Sequence, residues 1–304
     1  SPDGDIIECT EKLAQPTFKH PLLKDHKLQE PPTNLPNVAK NKDEVSSWQI
    51  WHGNGSKCPE GTIPIRKVVS YENGATNSGA GVEVTNGHEY ATGFLKNTTH
   101  IYGTKVTMSV GHPKVDQVGE FSLGQIWLVS GSYNNSDMNT IEAGWQVFPE
   151  LYLDSQPRLF IFWTDPSLGH WWLSVGHGTQ LTPIGYWPTK IFTCLTHYAD
   201  RVQWGGEIVN INLSGRHTTT QMGSGYLPSS ARSTYMRDLE IVVNNRDFQP
   251  TYDLIVGATN PTYYNIKKSS STSFSYGGPE HAGAVHLIID SIFLYFCFSL
   301  FFLF

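Results

Sequence analysis

Thr140-Ile-Glu-Ala-Gly-Trp-Gln-Val-Phe148 is the stretch on which the fold turns. Side chains alternate along a strand. Thr140, Glu142, Gly144 and Gln146 therefore share one face, and Ile141, Ala143, Trp145 and Val147 the other. Val202-Gln-Trp-Gly-Gly-Glu-Ile-Val209 repeats the arrangement, with Gln203, Gly205 and Glu207 on one face. Outward from these two, His88–Phe94, Ile101–Val110, Phe121–Ser130, Arg158–Thr164, Trp171–Gly176 and Leu239–Asn244 read as further strands. Turn residues such as Gly111-His-Pro113 and Gly131-Ser-Tyr-Asn-Asn135 separate them. This spacing predicts an all-β chain, an antiparallel sandwich or barrel. The best helix candidate is Pro188–Asp200, with Ile191, Leu195 and Tyr198 at helical spacing behind a leading proline.

Composition agrees. Only 16% of the 304 residues are charged, against about 25% in ordinary soluble domains. The 28 Gly, 18 Pro and 12% aromatic residues suit short strands joined by tight turns. The net charge of −6 argues against a nucleic-acid partner, because phosphate binding needs clustered Lys and Arg.

The N-terminal part has a different texture. Residues 1–45 are polar and punctuated by prolines and read as an extended arm. In Cys58-Pro-Glu-Gly-Thr-Ile-Pro-Ile-Arg66 a turn leads into a possible strand, and residues 71–87 have the Gly- and Asn-rich make-up of a linker or cleavage region. Cys9 and Cys58 lie in one region. They form a disulfide in an oxidising compartment and are buried thiols otherwise. Cys194 and Cys297 complete the set, in no zinc-binding spacing. Four N-x-Ser/Thr sites, at Asn54, Asn97, Asn134 and Asn212, point toward glycosylation and a secreted, extracellular protein.

The chemistry is narrowed by absence. There is no G-x-S-x-G elbow, no H-E-x-x-H, no Walker loop and no dinucleotide fingerprint. The 12 His are scattered. What remains is Glu142 and Glu207, each in an apolar strand beside glycines that leave room for a substrate backbone. A single Glu on a strand is as a rule merely solvated. Two that meet cannot both ionise easily, so one activates water and the other donates a proton. Such a pair serves peptide or glycoside hydrolysis. The third reading is a non-catalytic sandwich that binds polysaccharide or protein through its tryptophans.

At these residues the sequence resembles the plant neprosin family of secreted glutamic-type prolyl endopeptidases. The matching stretches are Cys58–Arg66, Gln125-Ile-Trp127, Ile141–Tyr152, Arg158-Leu-Phe160, Trp204-Gly-Gly-Glu207 and Thr220-Gln-Met-Gly-Ser-Gly225, with Gln15–Lys24 resembling the propeptide. The resemblance implies an inhibitory propeptide over residues 1–75, the linker over 76–87 and a catalytic β-sandwich over 88–279. It implies acid-activated cleavage on the carboxyl side of proline, with Glu142 and Glu207 catalytic and no metal or organic cofactor. Gln125, Gln146, Tyr186 and Gln221 are candidate helpers, and Trp145, Trp187 and Trp204 candidate walls for a proline ring. The partners implied are proline-containing peptides and the chain's own propeptide.

Two departures stand out. Several dozen residues that the family carries between its Phe-Ile-Phe-Trp-Thr and Trp-Trp strands are missing after Thr164, which predicts lost strands, exposed edges and impaired activity. After Pro279 the chain runs into an atypical segment, residues 280–304, ending in 13 almost wholly apolar residues from Ile292. That run is shorter than the about 20 residues a spanning helix needs. The expectation is an aberrant end, ahead of a membrane anchor and a buried segment. Tyr263 stands where the family tends to have Cys, so disulfides of the catalytic part are expected to be absent.

Overall fold

The computed structural model describes residues 6–29, 57–67, 87–96, 100–163, 171–177, 180–212, 215–243, 247–279 and 289–298. Asn54, Asn97, linker residues 76–86 and the Thr164–Asp165 junction lie outside them. In chain order the strands are β1 (Ile7–Glu11), β2 (Thr62–Arg66), β3 (His88–Leu95), β4 (Gly103–Val110), β5 (Ser122–Ser130), β6 (Asn139–Val147), β7 (Arg158–Trp163) and β8 (Trp171–His177). They continue as β9 (Gln180–Trp187), β10 (Arg201–Val209), β11 (Thr234–Val242), β12 (Gln249–Pro250), β13 (Leu254–Ala258), β14 (Asn265–Ser270), β15 (Ser273–Gly277) and β16 (Ile289–Phe298).

A six-stranded sheet runs β13-β3-β10-β5-β6-β7. An eight-stranded sheet runs β14-β15-β11-β4-β16-β8-β9, with β12 paired to β11. Their inner faces share one core: Ala91, Ile126, Ile141, Ala143 and Trp204 of the first sheet meet Val106, Met108, Trp171, Leu173 and Phe274 of the second. Trp171 and Trp204 are 0% exposed. Each such ring withdraws roughly 150–250 Å² from water, worth about 4–6 kcal/mol before ordering costs. The period-two pattern of β6 is realised as read, with Ile141, Ala143 and Val147 buried.

The N-terminal part is more structured than an extended arm. β1 and β2 pair antiparallel, with Cys9 opposite Pro64 and a disulfide from Cys9 to Cys58. Between them come 3-10 turns at Lys12–Ala14, Pro16–Lys19 and Pro21–Leu23, the last two opened by their prolines. The third delivers Leu23, 2% exposed, into the main core.

The Pro188–Asp200 helix does not form. Only 3-10 turns at Thr189–Ile191 and Cys194–Thr196 occur there. The Asn139 side-chain oxygen accepts from the backbone N–H of Thr193, Cys194 and Leu195 and from the Thr193 hydroxyl, so those donors are spent on β6 instead of on a helix. Ile191 and Leu195 are still buried, carried inward by the turns.

At the junction after residue 163, β7 lies at the edge of its sheet, while β8 on the far side is paired along both edges. The backbone of Ile289–Phe298 forms β16, antiparallel to β4 on one side and β8 on the other. Leu294 stands opposite Val106 and Val175, and Phe296 opposite Thr104 and Leu173. A strand covers about 3.4 Å per residue, so ten residues too short for a membrane helix suffice for a sheet. No helix among the described residues is long and apolar enough to cross a membrane. A chain ending at residue 286 should leave β4 and β8 each unpaired along one edge. Thermal unfolding is expected to fall by several degrees and a hydrophobic dye to bind the folded protein; an unchanged midpoint would remove β16 from the sheet.

Candidate active site

The site is set by register. β5 lies between β10 and β6. Trp127 is opposite both Gln203 and Glu142; Gln125 is opposite both Gly205 and Gly144; Leu123 is opposite both Glu207 and Gln146. Directly opposed residues point to the same face, so Glu142, Gln125 and Glu207 lie on one diagonal of the sheet's outer face with Gln125 at its centre. On a flat lattice the two glutamates would be about 10 Å apart across the strands and about 13 Å along them. Side-chain reach from both ends shortens that gap, and Glu142 feels the charge of Glu207.

The glycines flanking Gln125 have a different use from the one expected. A Cβ on Gly144 would stand 2.1 Å from the Gly124 carbonyl oxygen and 2.4 Å from the Gln125 Cβ. On Gly205, whose φ is +152°, it would stand 2.2 Å from the Ala91 carbonyl oxygen. They make room for neighbouring strands and for Gln125 itself, not for a substrate backbone.

Gln125 is fully buried and its Nε2 donates to Glu142 Oε2 at 2.7 Å. Its Oε1 has no hydrogen-bond partner among the described residues. Desolvation, followed by the charge of Glu207, pushes the Glu142 carboxyl up to about 7; hydrogen bonds from Gln125 and Thr140 pull the other way without prevailing. Glu142 keeps some exposure through the opening of the face while protein surrounds it elsewhere. Glu207 is 6% exposed, and its Oε1 is in short contact with His88 Nδ1. Leu123, Trp127 and Val129 form an apolar cluster on this same sheet, with Tyr90, Phe121 and Met138 packed against it.

One rim of the face is cationic and aromatic. The Tyr152 hydroxyl donates to Gln146 Oε1 at 2.9 Å. Arg158 lies 5.1 Å and Arg66 5.7 Å from the Tyr152 ring centre, and Arg158 is paired with both oxygens of Asp154. Arg66 ends β2 and also donates to the Tyr152 carbonyl, so the N-terminal part touches this rim. It docks a second time on the other sheet, where the Tyr186 hydroxyl meets His26 Nε2 at 3.3 Å and accepts from the Gln29 N–H at 3.2 Å.

Of the residues singled out from sequence, Glu142, Glu207, Gln125 and Gln146 are brought together. Trp145 is one residue from Gln146, so the pleat turns it to the opposite face, against the core. Trp204 is likewise inside, with its Nε1 donating to Thr104 Oγ1. Tyr186 and Trp187 belong to β9 of the other sheet and are buried. Gln221 Oε1 is spent on the Lys114 N–H. Trp127 and Tyr90 are aromatic residues that do share the glutamate face, in edge contact at 6.4 Å between ring centres. Trp127 was findable, because alternation from Gln125 places it there. His88 was not, since nothing local distinguishes it from the other histidines. Asn134 is exposed and Asn212 half-buried. No group of three or more metal-type ligands occurs among the described residues. Tyr263, in the place of the family's Cys, stacks on His217 at 3.6 Å between ring centres, and Cys194 is a free thiol.

The chain is thus a β-sandwich with Glu142 and Glu207 on one outer face and an N-terminal part docked on both sheets. The comparisons with known families agree: the model described as Neprosin matches residues 118–168 and 163–279, and that described as Neprosin activation peptide matches residues 1–94. The chain belongs to the neprosin family. The two Neprosin matches meet at residues 163–168, where the sequence departs from the family pattern.

Two outcomes follow. Glu142 is raised in the folded state above its value in the unfolded chain, so its contribution to stability is full below about 4.5 and is lost as pH rises through about 7. Urea midpoints should fall over that interval, and Glu142→Gln should flatten the fall. Gly144→Ala should cost about 1–3 kcal/mol, from the collision with Gln125 and the Gly124 carbonyl, read by the same urea titration.

Proposed function

We propose that this protein is a secreted, acid-active glutamic endopeptidase that cuts on the carboxyl side of proline and is made as a zymogen. The observation that carries the reading is the placement of Glu142 and Glu207 on one face about Gln125, with Glu142 pushed up to about 7 by burial and by the charge of Glu207. Glu142 thus keeps a proton across the acid range, which suits a pair made of one protonated and one ionised carboxyl. The ionised one takes a proton from water as its oxygen attacks the peptide carbonyl. The protonated one gives its proton to the departing amine as the C–N bond breaks. Gln125 fixes Glu142 through Nε2 and leaves Oε1 as an acceptor for a water seated between the two. Trp127 and Tyr90 supply the flat apolar surface that a proline ring packs against. The Cys9–Cys58 disulfide supports an oxidising, extracellular destination, in which exposed Asn134 is open to glycosylation.

The test is hydrolysis of a proline-containing peptide between roughly pH 4 and 8 after acid activation. Activity should be high on the acid side and fall as pH rises through about 7, where Glu142 loses its proton. Glu142→Gln and Glu207→Gln should each lower kcat/KM by about a hundredfold or more. Cleavage that survives either substitution, or that ignores proline, ends the proposal. Binding of cell-wall polysaccharide by a peptidase-inactive wild type would favour a lectin-like role instead.

A further inference from the structure

We propose that His88 is a positioning residue that holds Glu207 in its ionised form and so makes Glu207 the base, and Glu142 the acid, of the pair. The inference rests on the two-glutamate reading above and adds the assignment of roles.

The geometry begins at the first turn of backbone into β3. Gly87 is fixed there by its carbonyl, which accepts from the Asn210 N–H at 2.7 Å. His88 is paired with Val209 and so stands beside Glu207 on the same face. Its Nδ1 meets Glu207 Oε1. A carboxylate offers only acceptors, so the nitrogen at this contact carries the hydrogen and donates it. The ring is held from two sides: Tyr90 stacks on it at 6.2 Å and 17°, and Phe121 meets it edge-on at 6.0 Å. The His88 side chain is 32% exposed and that of Glu207 8%. The imidazole therefore meets solvent far more than the carboxylate does. An imidazolium in that place supplies the positive charge that a buried carboxylate otherwise lacks.

Among the described residues, no other group on the neighbouring strands offers Glu207 a comparable charge. β5 presents apolar Leu123 and neutral Gln125, and β3 adds only the Tyr90 phenol. From β6 comes Glu142, whose own carboxyl is raised by burial and by the charge of Glu207. Arg158 lies in the same row beyond Gln146, but its guanidinium is paired with Asp154. Glu142 has the opposite setting, with neutral donors from Gln125 and Thr140.

The roles then balance. Water gives a proton to the Glu207 carboxylate as its oxygen bonds to the carbonyl carbon. The C–N bond breaks as the Glu142 proton passes to the amine. Glu207 afterwards returns its proton, and Glu142 regains one, through solvent.

His88→Asn, in the full chain after acid activation, keeps a neutral donor near the Nδ1 position and removes the cation. Its kcat on a proline-containing peptide should fall about tenfold, and the acid limb of the kcat/KM profile should move up by about one pH unit, because Glu207 then accepts a proton more readily. The alkaline limb, set by Glu142, should stay. A fall in rate or stability with the acid limb unmoved would overturn the assignment and leave His88 structural. Glu207→Gln runs beside it: if that variant is active, the two-glutamate reading itself fails, whatever His88 does. Should His88→Asn not fold, the His88 ring is followed by NMR titration in the intact zymogen. The imidazolium should persist to higher pH in the wild type than in Glu207→Gln, and coincident titrations would overturn the proposal.

Discussion

The structure depends on how closely β6 approaches β5 and β10 approaches β3. Gly144 and Gly205 face Gln125 from either side, and neither position has space for a methyl group. That approach fixes a register in which a one-residue slip would turn both glutamates into the core and bring Trp145 and Trp204 out to water. The outer face is thus specified by the same glycines that make the sheet tight. The apolar neighbours Leu123 and Trp127 are the direct register partners of Glu207 and Glu142, so strand pairing and carboxyl desolvation have one cause.

Much of this was legible in the chain. Alternation placed Glu142 and Gln146 on one side of β6 and the tryptophan on the other, and the outline of eight strands could be drawn from hydrophobic pattern and turn residues. What alternation cannot supply is which strands become neighbours. The diagonal through Gln125 arises because β5 intervenes between two strands far apart in sequence. The contact of His88 with Glu207 spans 119 positions. The lost helix at Pro188–Asp200 has the same origin: its pattern was apolar at helical spacing, but Asn139, more than 50 residues upstream, claims its backbone donors. Conversely, the short strands β13 to β15 carry little pattern, since Asn265–Ser270 is mostly exposed and polar.

The activation peptide makes contact through both sheets. Leu23 enters the core, His26 and Gln29 meet Tyr186 on β9, and Arg66 meets Tyr152 on the rim of the glutamate face. Burial, followed by the charge of Lys190, lowers the His26 imidazole from its ordinary range. Charging that ring therefore opposes the docked state, and acidification weakens one attachment. The disulfide keeps β1 and β2 one unit as this happens, so the rim contact and the β9 contact belong to a single cross-linked body.

β16 carries a consequence in time. It is the last of the described strands in the chain, yet it lies between β4 and β8 in the middle of its sheet. On the ribosome, β4 is made roughly 180 residues before its partner, and β8 more than 110. Until Ile289–Phe298 emerges, both neighbours wait with open hydrogen-bonding edges, and the sheet cannot close by local pairing alone. Such long-range closure is slow and leaves the nascent chain open to association with other chains. Closure of this sheet thus waits on Ile289–Phe298, in the sheet that does not carry the glutamates.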